Sequence, residues 1–193
     1  MEQAPPTECA DGAAITVGDD VDDVYDVDDA AVTVHRLLAG RGATVAVAES
    51  LTGGLLGAAL TAAAGSSATF RGGITAYATP AKTSLLGVPM NLLTRHGPVH
   101  AEVAAAMATG ARRRLAATYG LATTGVAGPQ PQDGIPAGTV LLAVSGPEGV
   151  VAVQRRLAGD RARVRHLTVI HALDLLRRTL AGLPPYAGAE QEA

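Results

Sequence analysis

The chain has 193 residues, 48% of them apolar and 3% aromatic, with a formal net charge of −3; that is enough apolar material for one core-forming domain. With no Trp and Phe70 as its only phenylalanine, it lacks the aromatic platforms on which single-stranded nucleic acid stacks, and no nucleic-acid partner is expected. A single cysteine, Cys9, excludes a disulfide framework or a cysteine-based metal site; with no apolar run of about 18 residues and no basic, apolar leader, a cytoplasmic protein without a membrane partner is expected.

Residues 1–29 carry ten acids and no base, including the run "DDVDDVYDVDD", so the remainder carries +7 and favours an anionic ligand. Like charges with little to bury make residues 1–27 a disordered or loosely attached tail. The same run lacks the glycine and glutamate offsets of a calcium loop. From Asp28 a helix is expected, with acids in its first turn and an end at Gly40 to Gly42. "TVAVA" then reads as a strand covered on both faces. A helix from Gly53 to about Ala63, the turn "GSS" and a strand in "FRGGITAYA" follow, and "PAKTSLLG" reads as a short helix with Pro80 at its first position and Gly87 at its end. A long Ala-rich helix is predicted from Ala101 to about Thr118, then a strand in "GLATTG". "GTVLLAVSG" and "VVAVQRRL" form a hairpin, and a last helix runs from Asp160 to about Leu180. Pro184 and Pro185 close the domain, leaving residues 184–193 as a flexible end. Strands alternating with helices, plus one terminal hairpin, predict a three-layer α/β/α domain with a mixed, mostly parallel sheet.

Ligands of such sheets bind where strands end and the next loop begins. "ESLTGG", "AYATPAK" and "TTGVAGP" all fall at such places. Lys82 is the only lysine beside fourteen arginines. Arginine serves wherever a fixed charge suffices, so this lysine suggests a group that must lose its proton; chance survival on a solvated helix is the alternative. Tyr77, five residues earlier across Pro80, is placed to meet it, or is simply a core tyrosine. Ser50 stands at a strand-to-turn junction as either a nucleophile or a helix cap. The amides of Thr52, Gly53 and Gly54 beside it are candidates to receive an anion or an oxyanion. Glu49 either caps this turn or orients Lys82.

No Walker A loop and no G-x-G-x-x-G follows a predicted strand. His96 and His100 are four apart, but Gly97 and Pro98 between them break the helix that a zinc pair of that spacing uses, so no metal is expected. His35, His166 and His171 read as helix-surface or core residues.

Read together, "AES-x-TGG", "GSS", "AY-x4-K-x3-LGV", "TG-x-AGP", "GTV" and "GDR" resemble the CinA C-terminal domain family over about Asp28 to Gly182. Enzymatically active members of that family are nicotinamide-mononucleotide amidohydrolases. The resemblance implies a serine nucleophile at Ser50, a base at Lys82 and Tyr77 between them. It also implies substrate-binding or oxyanion-supporting positions at Ser67, Thr124, Gly125 and Arg161, with Arg165 a further phosphate contact. It calls for no cofactor and no metal, takes a small nucleotide as substrate, and leaves a homo-oligomer open. The chain departs from the family at Leu51, commonly cysteine, at Gln130 to Gln132, commonly a glycine run, and at His100, commonly serine. A silent nucleotide-binding module and a serine/lysine hydrolase of another amide remain as alternatives.

Overall fold

The computed structural model describes residues 15–16 and 26–185; the remainder of the acidic tail, and residues 186–193, lie outside the described residues. In chain order the elements are β1 (Ile15–Thr16), α1 (Val27–Ala39), β2 (Val45–Glu49), α2 (Leu55–Ala62), a 3-10 turn (Ser66–Ala68), β3 (Phe70–Thr75), α3 (Thr79–Leu86), α4 (Met90–His96), α5 (Ala101–Arg114), β4 (Tyr119–Gly125), β5 (Thr139–Gly146), β6 (Gly149–Arg156) and α6 (Arg161–Ala181). They form one sheet of order β1-β6-β5-β4-β2-β3. β2 runs parallel to both β3 and β4, β5 is antiparallel to β4 and β6, and Ile15–Thr16 pairs parallel with Val153 and Gln154 at the far edge. This is the expected three-layer α/β/α domain with a mixed sheet.

The alternation of side chains along β2 sorts two cores. Val45 and Val47 join Leu121, Leu142, α1, α2 and α6 in the larger one. Ala46 and Ala48 join Ala122, Ala143 and the alanines of α5 in the other. With so few large side chains, the second layer closes by backbone approach. A Cβ on Gly120 would stand 2.0 Å from the Ala108 carbonyl oxygen, and one on Gly110 would stand 2.1 Å from that of Leu86. Glycine is therefore what lets α5 lie on β4 and α3 lie on α5.

From β2 the chain crosses to β3 through α2 on one face, and from β3 to β4 through α3 to α5 on the other. Its carboxyl end is thus where the neighbouring connections diverge, the place at which open α/β sheets form a crevice. Glu49 ends β2 and Ser50 follows it.

Several elements differ from the sequence reading: α1 starts one residue earlier, at Val27, and β3 ends at Thr75 rather than running through Ala78. α2 starts at Leu55, because Gly53 and Gly54 take φ of 60° and 103° in the turn before it. α5 stops at Arg114, with Ala116 at φ 49° ending the helix. α4 falls where no element is expected; it is seven residues long, starts after Pro89 and buries only Leu93, too little periodicity to announce itself.

Candidate functional site

The turn after β2 is built on Glu49, which is 2% exposed. Its carboxylate accepts from the backbone N–H groups of Gly54 (2.9 Å), Leu56 (3.1 Å) and Gly57 (2.8 Å). These are the unpaired donors at the start of α2, and a carboxylate there also meets the positive end of the helix dipole. Each charge-assisted bond contributes about 1.5–3 kcal/mol. Glu49 therefore caps the turn, while Lys82 bonds Ser50 and the Ala76 carbonyl. A second fastening comes from α6. Arg165 donates Nε to the Leu51 carbonyl (3.0 Å) and Nη2 to that of Thr52 (2.7 Å). A Cβ on Gly53 would touch this guanidinium at 3.4 Å. Those bonds give Arg165 a structural task in holding the turn.

Ser50 is held by its own N–H, which donates to the Thr123 carbonyl at 3.0 Å. Its Oγ lies 2.9 Å from Lys82 Nζ, which also donates to the Ala76 carbonyl at 2.8 Å. Lys82 sits in the first turn of α3, which starts one residue before the expected Pro80, at Thr79; Pro80 in second place still fits because the amides of a first turn have no intrahelical partner. At 1% exposure it is a lysine buried without a carboxylate contact among the described residues, and burial lowers its pKa from 10.5 to about 8.

Tyr77 does not stand between them. Lys82 reaches Ser50 directly, while the 59% exposed phenol sits at the mouth of the cleft and its oxygen accepts from Arg161 Nη2 at 2.8 Å. Arg161 also donates Nη1 to the Gly128 carbonyl at 3.2 Å. The two side chains thus bridge the β3–α3 loop, the start of α6 and the β4–β5 loop. Thr124 Oγ1 donates to the Pro98 carbonyl at 2.8 Å, which fastens the α4–α5 turn to the end of β4. Gly125 must be glycine, because a Cβ there would stand 2.5 Å from the Thr139 carbonyl.

Ser50, Tyr77, Lys82, Thr124, Gly125 and Arg161 line one cleft of 400 Å³, the size of small-molecule sites. Four expected positions are not on its wall. Thr52 is fully buried with its hydroxyl on that of Thr123 (2.7 Å). The Gly53 N–H bonds the Ser50 carbonyl and that of Gly54 bonds Glu49, so both amides are already used inside the turn. Ser67 precedes β3, and because β3 is parallel to β2 its start lies at the opposite end of the sheet from Ser50. From the turn after β2, the cleft is lined by Ser50 and Leu51. The Leu51 N–H makes no hydrogen bond among the described residues. The remaining wall comes from Thr79, Pro98, Val99 and the segment from Val126 to Gln132. No sequence signal marked Pro98 and Val99; the segment from Val126 follows "TTG" directly.

A three-layer α/β/α domain with a buried serine–lysine pair at the sheet's crevice is the class that fold and site define. Comparison with known proteins makes it specific: the chain belongs to the CinA C-terminal domain family, whose model matches residues 27–180. It is 59% identical over 151 residues to a CinA-like protein of Frankia casuarinae, covering 78% of this chain and 35% of that protein. It is 44% identical over 149 residues to a putative competence-damage inducible protein of Streptococcus agalactiae, covering 77% and 36%. The chain thus spans about a third of the length of the curated relatives it matches. Among solved structures, the competence/damage inducible protein CihA of Agrobacterium tumefaciens superposes with a TM-score of 0.77 at 37% identity, covering 82% of this chain and 97% of that one. A CinA superfamily protein of Klebsiella pneumoniae gives 0.79 at 33%, covering 82% and 99%.

Proposed function

We propose that the cleft hydrolyses the carboxamide of nicotinamide mononucleotide to nicotinate mononucleotide and ammonia, through an acyl-enzyme on Ser50. The observation that carries this reading is the contact of Ser50 Oγ with a buried lysine whose pKa lies near 8. A neutral amine keeps one N–H on the Ala76 carbonyl and turns its lone pair to the serine O–H, the orientation a general base needs. Ser50 Oγ attacks the carboxamide carbon and Lys82 takes its proton. The tetrahedral oxygen is received by the Leu51 N–H, the open amide nearest the nucleophile. Collapse breaks the C–N bond, with Lys82 returning the proton to the leaving amine as ammonia. Water then attacks the ester by the reverse proton path and frees the acid and Ser50. The positive pyridinium of the substrate further favours the neutral lysine.

Arg161, held by Tyr77 and Gly128 at the cleft mouth, is the cation for the phosphate. Comparing the mononucleotide with its dephosphorylated nucleoside tests this. Arg161→Ala should raise KM for the mononucleotide at least tenfold and leave the nucleoside unchanged. Equal KM for both substrates with the unaltered protein would remove the phosphate reading and point to another amide.

A further inference from the structure

The turn from α4 to α5 carries a second cluster of ligand-type side chains. His96 ends α4, Gly97 takes φ 72° to reverse the chain, and His100 is the N-cap of α5. The break at Gly97 and Pro98, which removes the helical spacing of a zinc pair, instead folds the two rings face to face. Their centroids are 4.0 Å apart and their planes differ by 11°. Glu102, in the first turn of α5, places Oε1 3.6 Å from His96 Nε2. One ligand atom from each of the three residues lies within 4.8 Å of the other two.

We propose that His96, His100 and Glu102 form a binding site for a divalent transition-metal ion of the zinc type, with water completing the shell. Two imidazoles and a carboxylate are a donor set that such ions take, and histidine near neutral pH offers its lone pairs. Bonds of about 2.0–2.1 Å in a tetrahedron place ligand atoms about 3.4 Å apart, close to the 3.6 Å found between His96 and Glu102. Stacked rings direct their lone pairs along parallel planes, so binding turns one ring out of the stack. His100 has little to give up, since its Nδ1 accepts only a long 3.3 Å bond from the Glu102 N–H. The side chains have room to turn, with exposures of 25% at His96 and 47% at Glu102. The site is separate from the Ser50 cleft but shares its wall. Pro98 and Val99 line the cleft, and Pro98 is bonded to Thr124. A bound ion would stiffen that wall.

The test titrates ZnCl2 into the full, tag-free chain by calorimetry, with Co2+ as a spectroscopic substitute. The expected result is uptake of a single ion per chain at micromolar concentration, visible absorption bands of bound Co2+, and a raised melting temperature. The double variant His96→Asn, His100→Ser keeps a capping side chain and retains Cys9 and the tail acids, and it should lose that uptake. No uptake by the unaltered chain, or uptake unchanged in the double variant, overturns the proposal. Should the double variant not fold, Glu102→Gln decides, with affinity expected to fall at least tenfold and unchanged affinity refuting the site.

Discussion

If Lys82 is the base, its protonation state sets the rate, and pH is the cleanest perturbation because it alters no atom of the fold. With a pKa near 8, about 1% of the amine is neutral at pH 6, about 10% at pH 7 and about half at pH 8. kcat/KM reports groups of the free enzyme. It should therefore rise about tenfold from pH 6 to 7, a further about fivefold to pH 8, and level off above about pH 9. The assay is ammonia release from nicotinamide mononucleotide at substrate well below KM. In kcat the same break should move to lower pH, because the bound pyridinium disfavours the ammonium. Stability carries a second signature. Between about 8 and 10.5 the folded protein binds fewer protons at Lys82 than the unfolded chain does, so stability rises with pH across that window, by up to about 3 kcal/mol. Lys82→Met should abolish that part of the rise in urea titrations. A kcat/KM flat from pH 6 to 8, or a break only near 10.5, would refute the assignment of Lys82 as a burial-tuned base.

Lys82→Arg keeps charge and length but cannot give up its proton; it should fold, bind the mononucleotide and lose about 10²-fold or more in turnover, and near-full ammonia release would refute the base. Glu49→Gln leaves one acceptor oxygen and an amide group facing N–H donors. It should cost about 3 kcal/mol in urea unfolding and slow turnover through a displaced Ser50; a loss under about 1 kcal/mol would show the cap to be dispensable. Gly120→Ala drives a Cβ against the Ala108 carbonyl, 2.0 Å away; a loss of about 3 kcal/mol in urea unfolding is expected, and no measurable change would mean that α5 is free to retreat from β4.

What the sequence disclosed and what it hid have different physical origins. Strand faces, helix starts and the crevice at Ser50 follow from local periodicity and from glycine and proline positions, which is why the layers are legible, whereas the pairing of Ser50 with Lys82 came only from the family resemblance. The lone lysine among arginines was the strongest site signal, and its 2.9 Å contact with Ser50 agrees with it. Roles that depend on which of several neighbours a side chain meets were not legible. Glu49 had two plausible partners, and the burial of its carboxylate under three amides decides between them. The resemblance implied Tyr77 between serine and lysine, but Lys82 reaches Ser50 directly while the phenol turns outward to an arginine 84 residues away. Ser67 was linked to the cleft by motif order, which carries no information on which end of a parallel strand faces the ligand. The His96–His100 stack was not foreseen because Gly97 and Pro98 were weighed only as removing the helical presentation of a zinc pair, whereas a turn can return two side chains to contact.

The central claim is that Ser50 carries the acyl group. Acid-quenching the protein during turnover of nicotinamide mononucleotide, and then weighing the intact chain and its peptides, tests it most directly. The expected result is an adduct with the mass of the substrate less ammonia, confined to the peptide bearing Ser50 and lost, together with ammonia release, in Ser50→Ala. Steady ammonia release without such an adduct, and undiminished in Ser50→Ala, would contradict it.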